Sequence, residues 1–448
     1  MKQVKLTLET ITPLFMSGAN QKAVELRPSS FRGMMRFWWR AVRATDDPKT
    51  LKKEESGLFG GAGEGEGRSE VLIRIKSDYD KLIRSTGTNL EKHYALGRGL
   101  DKEENRTKRK DTGIRYLLYS SVLPGRERKF IKDGFSFVLE IASLNENALK
   151  KALASFWVSV FLGGFGTRAR RGGGNLAIKE IGKSDLLDLD FMARGSSSEE
   201  IAKWLCENFN KAVRIICEDK PIKNFAVSYS NLSFSRFIIA KSPTNNWVES
   251  LNEVGEIFQD FRFKHRHKIE DTAVFGFPIR HRNNLIVRGR LKDSNNINRR
   301  SSPLIFKVLK SGDKYFWMVL RLTGEFLPEG GIIKANRTQK PDYRLIDEFW
   351  NELKEVGDEY VLNQPELLKK IVEQTKNQIS PTRIILFGSR ARGDAHKKAD
   401  IDLAVETSES VGKIDINAPL DIVNLRKADE KLKEKIEREG VILYERNT

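Results

Sequence analysis

The order of strand and helix patterns in the first 181 residues constrains the fold more than any other feature of this sequence. Alternating apolar residues predict four strands, at residues 3–10, 71–76, 135–141 and about 175–181. Two helices separate them, with apolar residues at helical spacing: Phe31, Met35, Trp38 and Val42 in the first, and Leu149, Leu153, Phe156, Trp157 and Val160 in the second. The order strand, helix, strand, strand, helix, strand is that of a ferredoxin-like or RRM-like unit.

A comparable but less regular set of patterns follows. It comprises strands at 222–229 and 234–240, a helix at 246–260, and a strand pair at 303–310 and 315–323. We therefore predict an α+β chain with two ferredoxin-like or RRM-like domains, at 1–185 and 186–340, and a small α/β domain at 365–448. Residues 341–364 are predicted to be a linker with a helix, entered through the stretch 330–344. The polar, basic residues 78–130 are predicted to form an inserted mobile loop.

The positive charge lies in the first four-fifths of the chain. Residues 363–448 hold 16 Lys and Arg against 15 Asp and Glu, so the preceding residues carry +17 of the net charge of +18. A surplus of this size indicates a polyanionic partner. No apolar run approaches the length of a membrane span, and the N-terminus lacks the apolar core of a signal peptide. The sequence therefore predicts a cytoplasmic protein without a membrane partner.

Two basic segments are candidates for phosphate contact. Residues 163–174 hold six glycines together with Arg168, Arg170 and Arg171, and glycines let a backbone approach a phosphate that arginines neutralise. A flexible surface loop with incidental charge is the alternative. The first helix also carries a row of arginines (Arg32, Arg36, Arg40 and Arg43), which would be either a solvated face or part of the same basic surface.

The sequence favours roles other than metal binding for its histidines and cysteines. FKHRHK at 263–268 and RHRNN at 280–284 add to the basic surface, and no carboxylate or Cys shares the spacing that metal binding by His265, His267 and His281 would need. Cys206 and Cys217 lie in apolar stretches and are predicted to be core residues.

The body of the chain resembles the RAMP superfamily of CRISPR proteins, and within it the first subunits of the type III-B (Cmr) effector complexes. The resemblance covers about residues 1–330 and is carried by five motifs in order: ITPLFMSG, ELRPSSFRGMMRFWWRA, LFGG, LGGFGTRARRGGGNL, and RRSSPLIFKVLK followed by YFWMVLRLTGEFLPEGG. It implies two RRM-like domains, other Cmr subunits as partners, and contact with the 3′ part of the CRISPR RNA or its target by a subunit that is not the nuclease. The RNA-binding candidates that it implies are Arg27, Arg32, Arg36, Arg168, Arg170 and Arg171.

The C-terminal segment ILFGSRARGDAHKKADIDLAV carries the sharper chemical signal. Asp400 and Asp402 are two residues apart in a predicted strand, so they face the same side, and Asp421 lies at the matching position of a later strand. Carboxylates that converge in this way suit Mg²⁺. The cation would hold a nucleoside triphosphate, with Gly388, Ser389, Arg390 and Arg392 contacting the phosphates.

This segment resembles the minimal nucleotidyltransferase family of the polymerase-beta superfamily, over about residues 365–448. The Gly-Ser-x10-Asp-x-Asp signature is complete, and the resemblance extends to EREGVILYE. Two hypotheses remain open. The chain is either an RNA-binding subunit with an accessory domain, or a Mg²⁺-dependent nucleotidyltransferase for an RNA or protein acceptor, with the body as its targeting module.

Overall fold

The computed structural model describes residues 1–19, 23–96, 112–123, 125, 127–182, 186–280, 285–291, 295–411, 414, 416 and 418–446. The first domain contains β1 (Lys2–Thr10), α1 (Pro28–Arg43), α2 (Pro48–Phe59), β2 (Val71–Lys76), α3 (Tyr79–Arg84), β3 (Thr86–Gly87), α4 (Leu90–His93), α5 (Thr112–Leu117), β4 (Phe130–Ile131), β5 (Ser136–Ser143), α6 (Glu146–Phe161) and β6 (Leu176–Ile181). Its main sheet has the antiparallel order β2-β5-β1-β6. This is the predicted ferredoxin-like arrangement, which the structure confirms.

Helix α1 buries the apolar face that its sequence predicts, since Phe31, Met35, Trp38 and Val42 are all fully buried. Pro28 is its first residue, where the missing N–H is not needed. Helix α2, which the sequence patterns did not indicate, begins after Asp47. The Asp47 carboxylate accepts the N–H groups of Lys49 and Thr50 there.

Parts of the predicted mobile loop are fixed in place, which corrects the prediction for residues 78–130. Its described residues include α3, α4 and α5, whereas residues 97–111 lie outside the described part of the chain. Helix α5 crosses a helix of the second domain where Gly113 meets Gly255, so closely that a Cβ on either residue would overlap the other backbone. Glycine at both positions allows this approach.

The second domain repeats the same topology. Its elements are α7 (Ser198–Cys217), β7 (Asn231–Ala240), α8 (Trp247–Lys264), β8 (Gly276–Phe277), β9 (Ile279–Arg280), β10 (Ile286–Arg290), β11 (Asn296–Ile297), β12 (Arg300–Ser301), β13 (Leu304–Ser311), β14 (Lys314–Thr323), β15 (Ile332–Lys334), β16 (Thr338–Gln339), α9 (Arg344–Val356) and β17 (Gly357–Asn363). The main sheet has the order β13-β14-β7-β17.

Three boundary predictions for this domain are wrong. Residues 222–229 form no strand. The stretch 330–344, expected as a linker, includes β15 and β16, which extend a small sheet with β10. The helix predicted within 341–364 is present as α9. These residues are not a linker, however, because β17 completes the second sheet, antiparallel to β7. Strand β17 is polar at Asp358 and Glu359 because it is an edge strand, so the apolar alternation typical of a strand is weak there.

The third domain packs against the second. Its elements are α10 (Glu366–Ile379), β18 (Arg383–Phe387), α11 (Gly388–Arg392), β19 (Ile401–Glu406), β20 (Leu420–Asn424), α12 (Glu430–Glu439) and β21 (Val441–Glu445). The sheet order is β20-β19-β18-β21, with β19 and β20 parallel.

Backbone carbonyls of the third domain accept hydrogen bonds from the second sheet. Arg236 Nη2 donates to the carbonyl of Ala391 at 3.3 Å, and Arg321 Nη2 donates to that of Arg392 at 2.7 Å. Arg321 also forms an ion pair with Asp347 at 2.7 Å, with side-chain exposures of 2% and 1%. The end of α11 is therefore anchored to the second domain.

The buried apolar side chains of the first two domains form one continuous core, and most of those in the third domain form another. Cys217 is buried, as predicted, whereas Cys206 is half-buried; both thiols are free. Among the described residues, no helix has both the length and the apolar character that crossing a membrane requires.

Candidate RNA interface and nucleotidyltransferase site

Backbone hydrogen bonds, one within the loop and one to the segment after β1, hold the glycine-rich loop in place. Phe165 N–H donates to the carbonyl of Gly174, and Gly174 N–H donates to that of Pro13, both at 2.9 Å. Gly174 has a φ of +64°, and a Cβ there would overlap the carbonyl of Phe165. Glycine is therefore required at this turn. These contacts argue against the flexible surface loop that the composition left open.

Two loop arginines extend into the junction with the second domain. Arg170 Nη1 donates to the carbonyl of Ser302 at 3.0 Å, and Arg171 Nη2 donates to that of Phe275 at 2.7 Å. The guanidinium of Arg171 also lies 4.9 Å from the ring centroid of Phe258 and 5.1 Å from that of Phe306. These side chains join the two ferredoxin-like domains.

Five guanidinium groups gather at this place, and we call them the junction arginines: Arg168, Arg170, Arg171, Arg262 and Arg300. Each is partly exposed. Arg262 on α8 lies over the ring of Phe275, at 5.1 Å from its centroid, and Arg300 lies over that of Phe326, at 5.9 Å. Sequence reasoning missed these last two, because their position follows only from how the domains pack.

The junction arginines carry positive charge with little compensation. Burial, together with the neighbouring Arg262, lowers the pKa of Arg171 to about 9, and burial with the neighbouring Arg300 lowers that of Arg170 to about 10. The groups that shift the five pKa values include, within the described chain, one carboxylate, Glu325, which acts on Arg300. Partly buried positive charges with so few carboxylates beside them are unfavourable, so an anion is the ligand that this cluster favours.

The arginines of α1 have internal partners instead. Arg36 and Arg40 both pair with Glu55, Arg40 at 2.5 Å, and Arg43 pairs with Glu54 at 2.7 Å. The face therefore forms ion pairs with α2, while the side chains of Arg36 and Arg40 remain 31% and 35% exposed.

The remaining RNA-binding candidates at this end of the chain differ in exposure. Arg32 is partly buried, and its Nη2 lies 3.5 Å from the carbonyl of Val71. Arg27, just before α1, is 40% exposed and lies 3.9 Å from Glu25. It is more open to a ligand than Arg32 or Arg36.

His265 lies inside the second domain, where it cannot act as an exposed ligand. His265 packs on Phe261, with 4.4 Å between ring centroids, and burial lowers its pKa. His281 and the rest of RHRNN after Arg280 lie outside the described residues.

In the third domain, strand register places Asp402 beside Asp421. The two residues are direct partners in the parallel β19–β20 ladder, and Phe387 is the partner of Asp402 in β18. Side chains of such partners lie on the same face of a sheet. The two carboxylates therefore share one face, and Asp400, which is exposed, lies immediately before β19 and two residues before Asp402.

The environment of Asp402 disfavours its negative charge. Burial raises its pKa, the carboxylates of Asp421, Asp400 and Glu439 add to this, and Lys435 opposes it. Oxygen ligands and excess negative charge are what Mg²⁺ prefers, so Asp402 and Asp421 fit that cation chemically. Within the described chain, however, no three His, Cys, Asp or Glu side chains are grouped as they would be around a metal ion.

Gly388 brings the backbone against this carboxylate. Its φ is +72°, and a Cβ there would overlap the Asp402 carboxylate, so only glycine fits without strain. Its N–H donates to Glu439 Oε1 at 2.9 Å. Ser389, the next residue, is partly exposed.

The two arginines predicted to contact nucleotide have internal partners. Arg390 is buried, donates to the carbonyl of Ala399 at 2.8 Å, and lies over the ring of Phe225. Arg392 pairs with Glu439 at 2.9 Å and with Asp394 at 3.3 Å. Neither guanidinium is directed to open solvent as a free phosphate ligand would be.

Comparison with known proteins agrees with a body that precedes a separate C-terminal domain. Residues 7–177 match the RAMP superfamily, and residues 369–448 match the family described as polymerase beta, nucleotidyltransferase. The CRISPR system Cmr subunit Cmr1-2 of Pyrococcus furiosus is 31% identical over 197 residues, which cover 40% of this chain and 97% of that protein. Cmr1-1 of the same organism is 27% identical over 317 residues, covering 68% and 82%.

The crystal structure of Cmr1 from Pyrococcus furiosus in its apo form has the same fold. It superimposes with a TM-score of 0.55 at 21% identity, covering 81% of this chain and 99% of that one. The Cmr1 relatives match the body of the chain, and the nucleotidyltransferase family matches its C-terminal domain. The chain therefore belongs to the Cmr1 family of the RAMP superfamily and carries a nucleotidyltransferase domain at its C-terminal end.

Proposed function

We propose that the chain is an RNA-binding subunit of a type III-B CRISPR effector complex, acting in antiviral defence beside other Cmr subunits. The names of its relatives support the complex. The junction arginines carry the proposal for RNA, because their uncompensated charge favours a polyanion. The CRISPR RNA or its target would supply the phosphates, and the cytoplasm would be the site of action.

The chemistry of the junction suits a phosphate backbone. Arginine donates to phosphate oxygens through two parallel N–H groups, and each of the five junction arginines is partly exposed. A phosphate bound at the exposed part of the cluster would offset the desolvation of the guanidiniums. Arg168 would take part from the rim, where its Nε donates to Ser120 Oγ at 2.8 Å.

Salt-dependent RNA binding by the full-length protein, alone and within the assembled complex, tests this proposal. Arg262→Gln is the most informative variant, because the described contacts of Arg262 are with aromatic rings. We expect about tenfold weaker binding and a salt slope reduced by about 0.7. Arg266→Gln, an exposed arginine on the next turn, is the matched control. Equal effects of the two substitutions would contradict binding at the junction.

A second candidate function, nucleotidyl transfer, is favoured by the register of Asp402 with Asp421 and the close approach of Gly388. Asp402 and Asp421 would hold Mg²⁺, which would neutralise a nucleoside triphosphate while a hydroxyl of an RNA or protein acceptor attacks its α-phosphate and pyrophosphate leaves. Gly388 and Ser389 would position the phosphates through the backbone and the hydroxyl group. Asp421 would share the cation with Asp402.

Labelled nucleoside triphosphates, Mg²⁺ and candidate acceptors test the second function. Transfer should require both aspartates and should vanish in Asp402→Asn, while Glu409→Gln, an exposed residue beyond the same strand, should retain it. The absence of transfer by the natural protein would exclude this activity, and equal transfer by Asp402→Asn would exclude this site for it.

A further inference from the structure

Helix α12 covers the same face of the third sheet that carries Asp402. Its Ile436 packs in one apolar cluster with Ile385, Phe387 and Ala404. Phe387 is the cross-strand partner of Asp402, so both lie on this face. The last two turns of α12 therefore end beside the candidate nucleotide site.

Glu439, at the end of α12, binds the amide that a phosphate would use. It is 2% exposed, its Oε1 accepts the N–H of Gly388 at 2.9 Å, and its Oε2 pairs with Arg392 at 2.9 Å. The carboxylate thus holds one N–H donor and one guanidinium, the two kinds of group that commonly bind phosphate oxygens. An acidic residue at a helix C-terminus is disfavoured by the helix dipole, so these two contacts must compensate.

Lys435 lies one turn earlier on α12, against the face of the sheet that carries Asp402. Its Nζ is 3.8 Å from Glu439 Oε1 and 5.6 Å from the ring centroid of Phe387. Phe387 is the cross-strand partner of Asp402, so the ammonium group and this carboxylate share one face of the sheet. Lys435 therefore supplies the neutralising positive charge that a divalent cation would otherwise provide.

We propose that α12 is a built-in occupant of the site, with Lys435 in the role of the cation and Glu439 in that of a phosphate. A nucleotide and its Mg²⁺ would then bind only when the last turns of α12 give up these contacts. Release of Glu439 would also free Arg392 for the phosphates. This inference rests on the proposed nucleotidyltransferase function and adds an intramolecular competitor to it.

Equilibrium binding to the full-length protein tests the competition without relying on catalysis. Labelled ATP with Mg²⁺ should bind about tenfold more tightly to Glu439→Ala, and Glu439→Gln should show a smaller gain. Mn²⁺, followed by paramagnetic resonance without nucleotide, should bind several-fold more tightly to Lys435→Gln. Glu434→Gln and Lys431→Gln make the same charge changes on exposed turns of α12 and should resemble the natural protein. Thermal unfolding shows which variants remain folded.

The outcomes separate the inference from the function on which it rests. If the natural protein binds ATP and both Glu439 variants bind it equally or more weakly, Glu439 supports the site and the inference is wrong, while the proposed function stands. Unchanged Mn²⁺ binding by Lys435→Gln would remove the cation half of the inference. If neither the natural protein nor any folded variant binds ATP, the nucleotidyltransferase proposal fails and the inference fails with it.

Discussion

The ion pair between Arg321 and Asp347 allows a quantitative test of how the second and third domains are joined. Both side chains are almost completely buried, and Asp347 Oδ1 lies 2.7 Å from Arg321 Nη2. Asp347→Leu keeps the approximate volume and leaves the guanidinium without its carboxylate. Removing one member of a buried pair destabilises a protein by about 3–5 kcal/mol. Arg321 keeps its bond to the carbonyl of Arg392, so we expect the lower end, about 3 kcal/mol.

The double variant Arg321→Met/Asp347→Leu separates the pair from its surroundings. It removes both charges, and replacing a whole buried pair by apolar residues is often close to neutral. The carbonyl of Arg392 loses its donor, which costs about 1 kcal/mol. Urea unfolding followed by tryptophan fluorescence measures the free energies, since Trp317 and Trp350 both lie in the second domain. A single variant within about 1 kcal/mol of the natural protein, or a double variant less stable than the single one, would refute this reasoning.

Three other substitutions have predictable effects. Burial raises the pKa of Asp394 to about 6, so between pH 4 and 6 the folded protein keeps a proton that the unfolded chain has released. The free energy of unfolding should therefore fall by about 1.4 kcal/mol per pH unit over this range. Unfolding of Asp394→Asn, measured against pH, should lack this fall. Burial lowers the pKa of Lys307 to about 7, so between pH 7 and 10.5 the folded protein has released a proton that the unfolded chain keeps. The contribution of Lys307 to stability should therefore rise over this range. Lys307→Met should raise the melting temperature more at pH 7 than at pH 10. Gly255→Ala would force α8 away from Gly113, with a loss of about 2 kcal/mol in urea unfolding; an unchanged midpoint would contradict the close crossing.

Local patterns predicted the parts of the fold that depend on one apolar face. The first sheet and the buried face of α1 could be predicted because Phe31, Met35 and Trp38 repeat at helical spacing and pack against a single sheet. Strand β17 could not, since its edge position tolerates Asp358 and Glu359, and tertiary pairing with β7 determines that it is a strand.

In the candidate sites, too, the sequence predicted what local patterns determine and missed what tertiary packing determines. The sequence placed Asp402, Asp421 and Gly388 close together, because strand alternation and a short motif determine that geometry. It did not indicate that Arg36 would be paired with Glu55, since that contact requires α2 to fold back over α1. Glu439 and Lys435 were missed for a related reason. On a short helix, a charged residue that faces the protein cannot be told from one that faces solvent until the sheet beneath the helix is known.

The bonds from Arg236 and Arg321 to the backbone of α11 affect how this protein can be divided for experiments. A truncation before residue 365 follows the boundary between two families, yet it would remove the carbonyl acceptors of two guanidiniums that the remaining body keeps buried. In the shortened body Arg236 and Arg321 would keep Glu359 and Asp347 as partners, but each would lose one hydrogen-bond acceptor. RNA affinities or melting temperatures measured on it would describe an altered second domain, so substitutions in the intact chain are the sounder comparison.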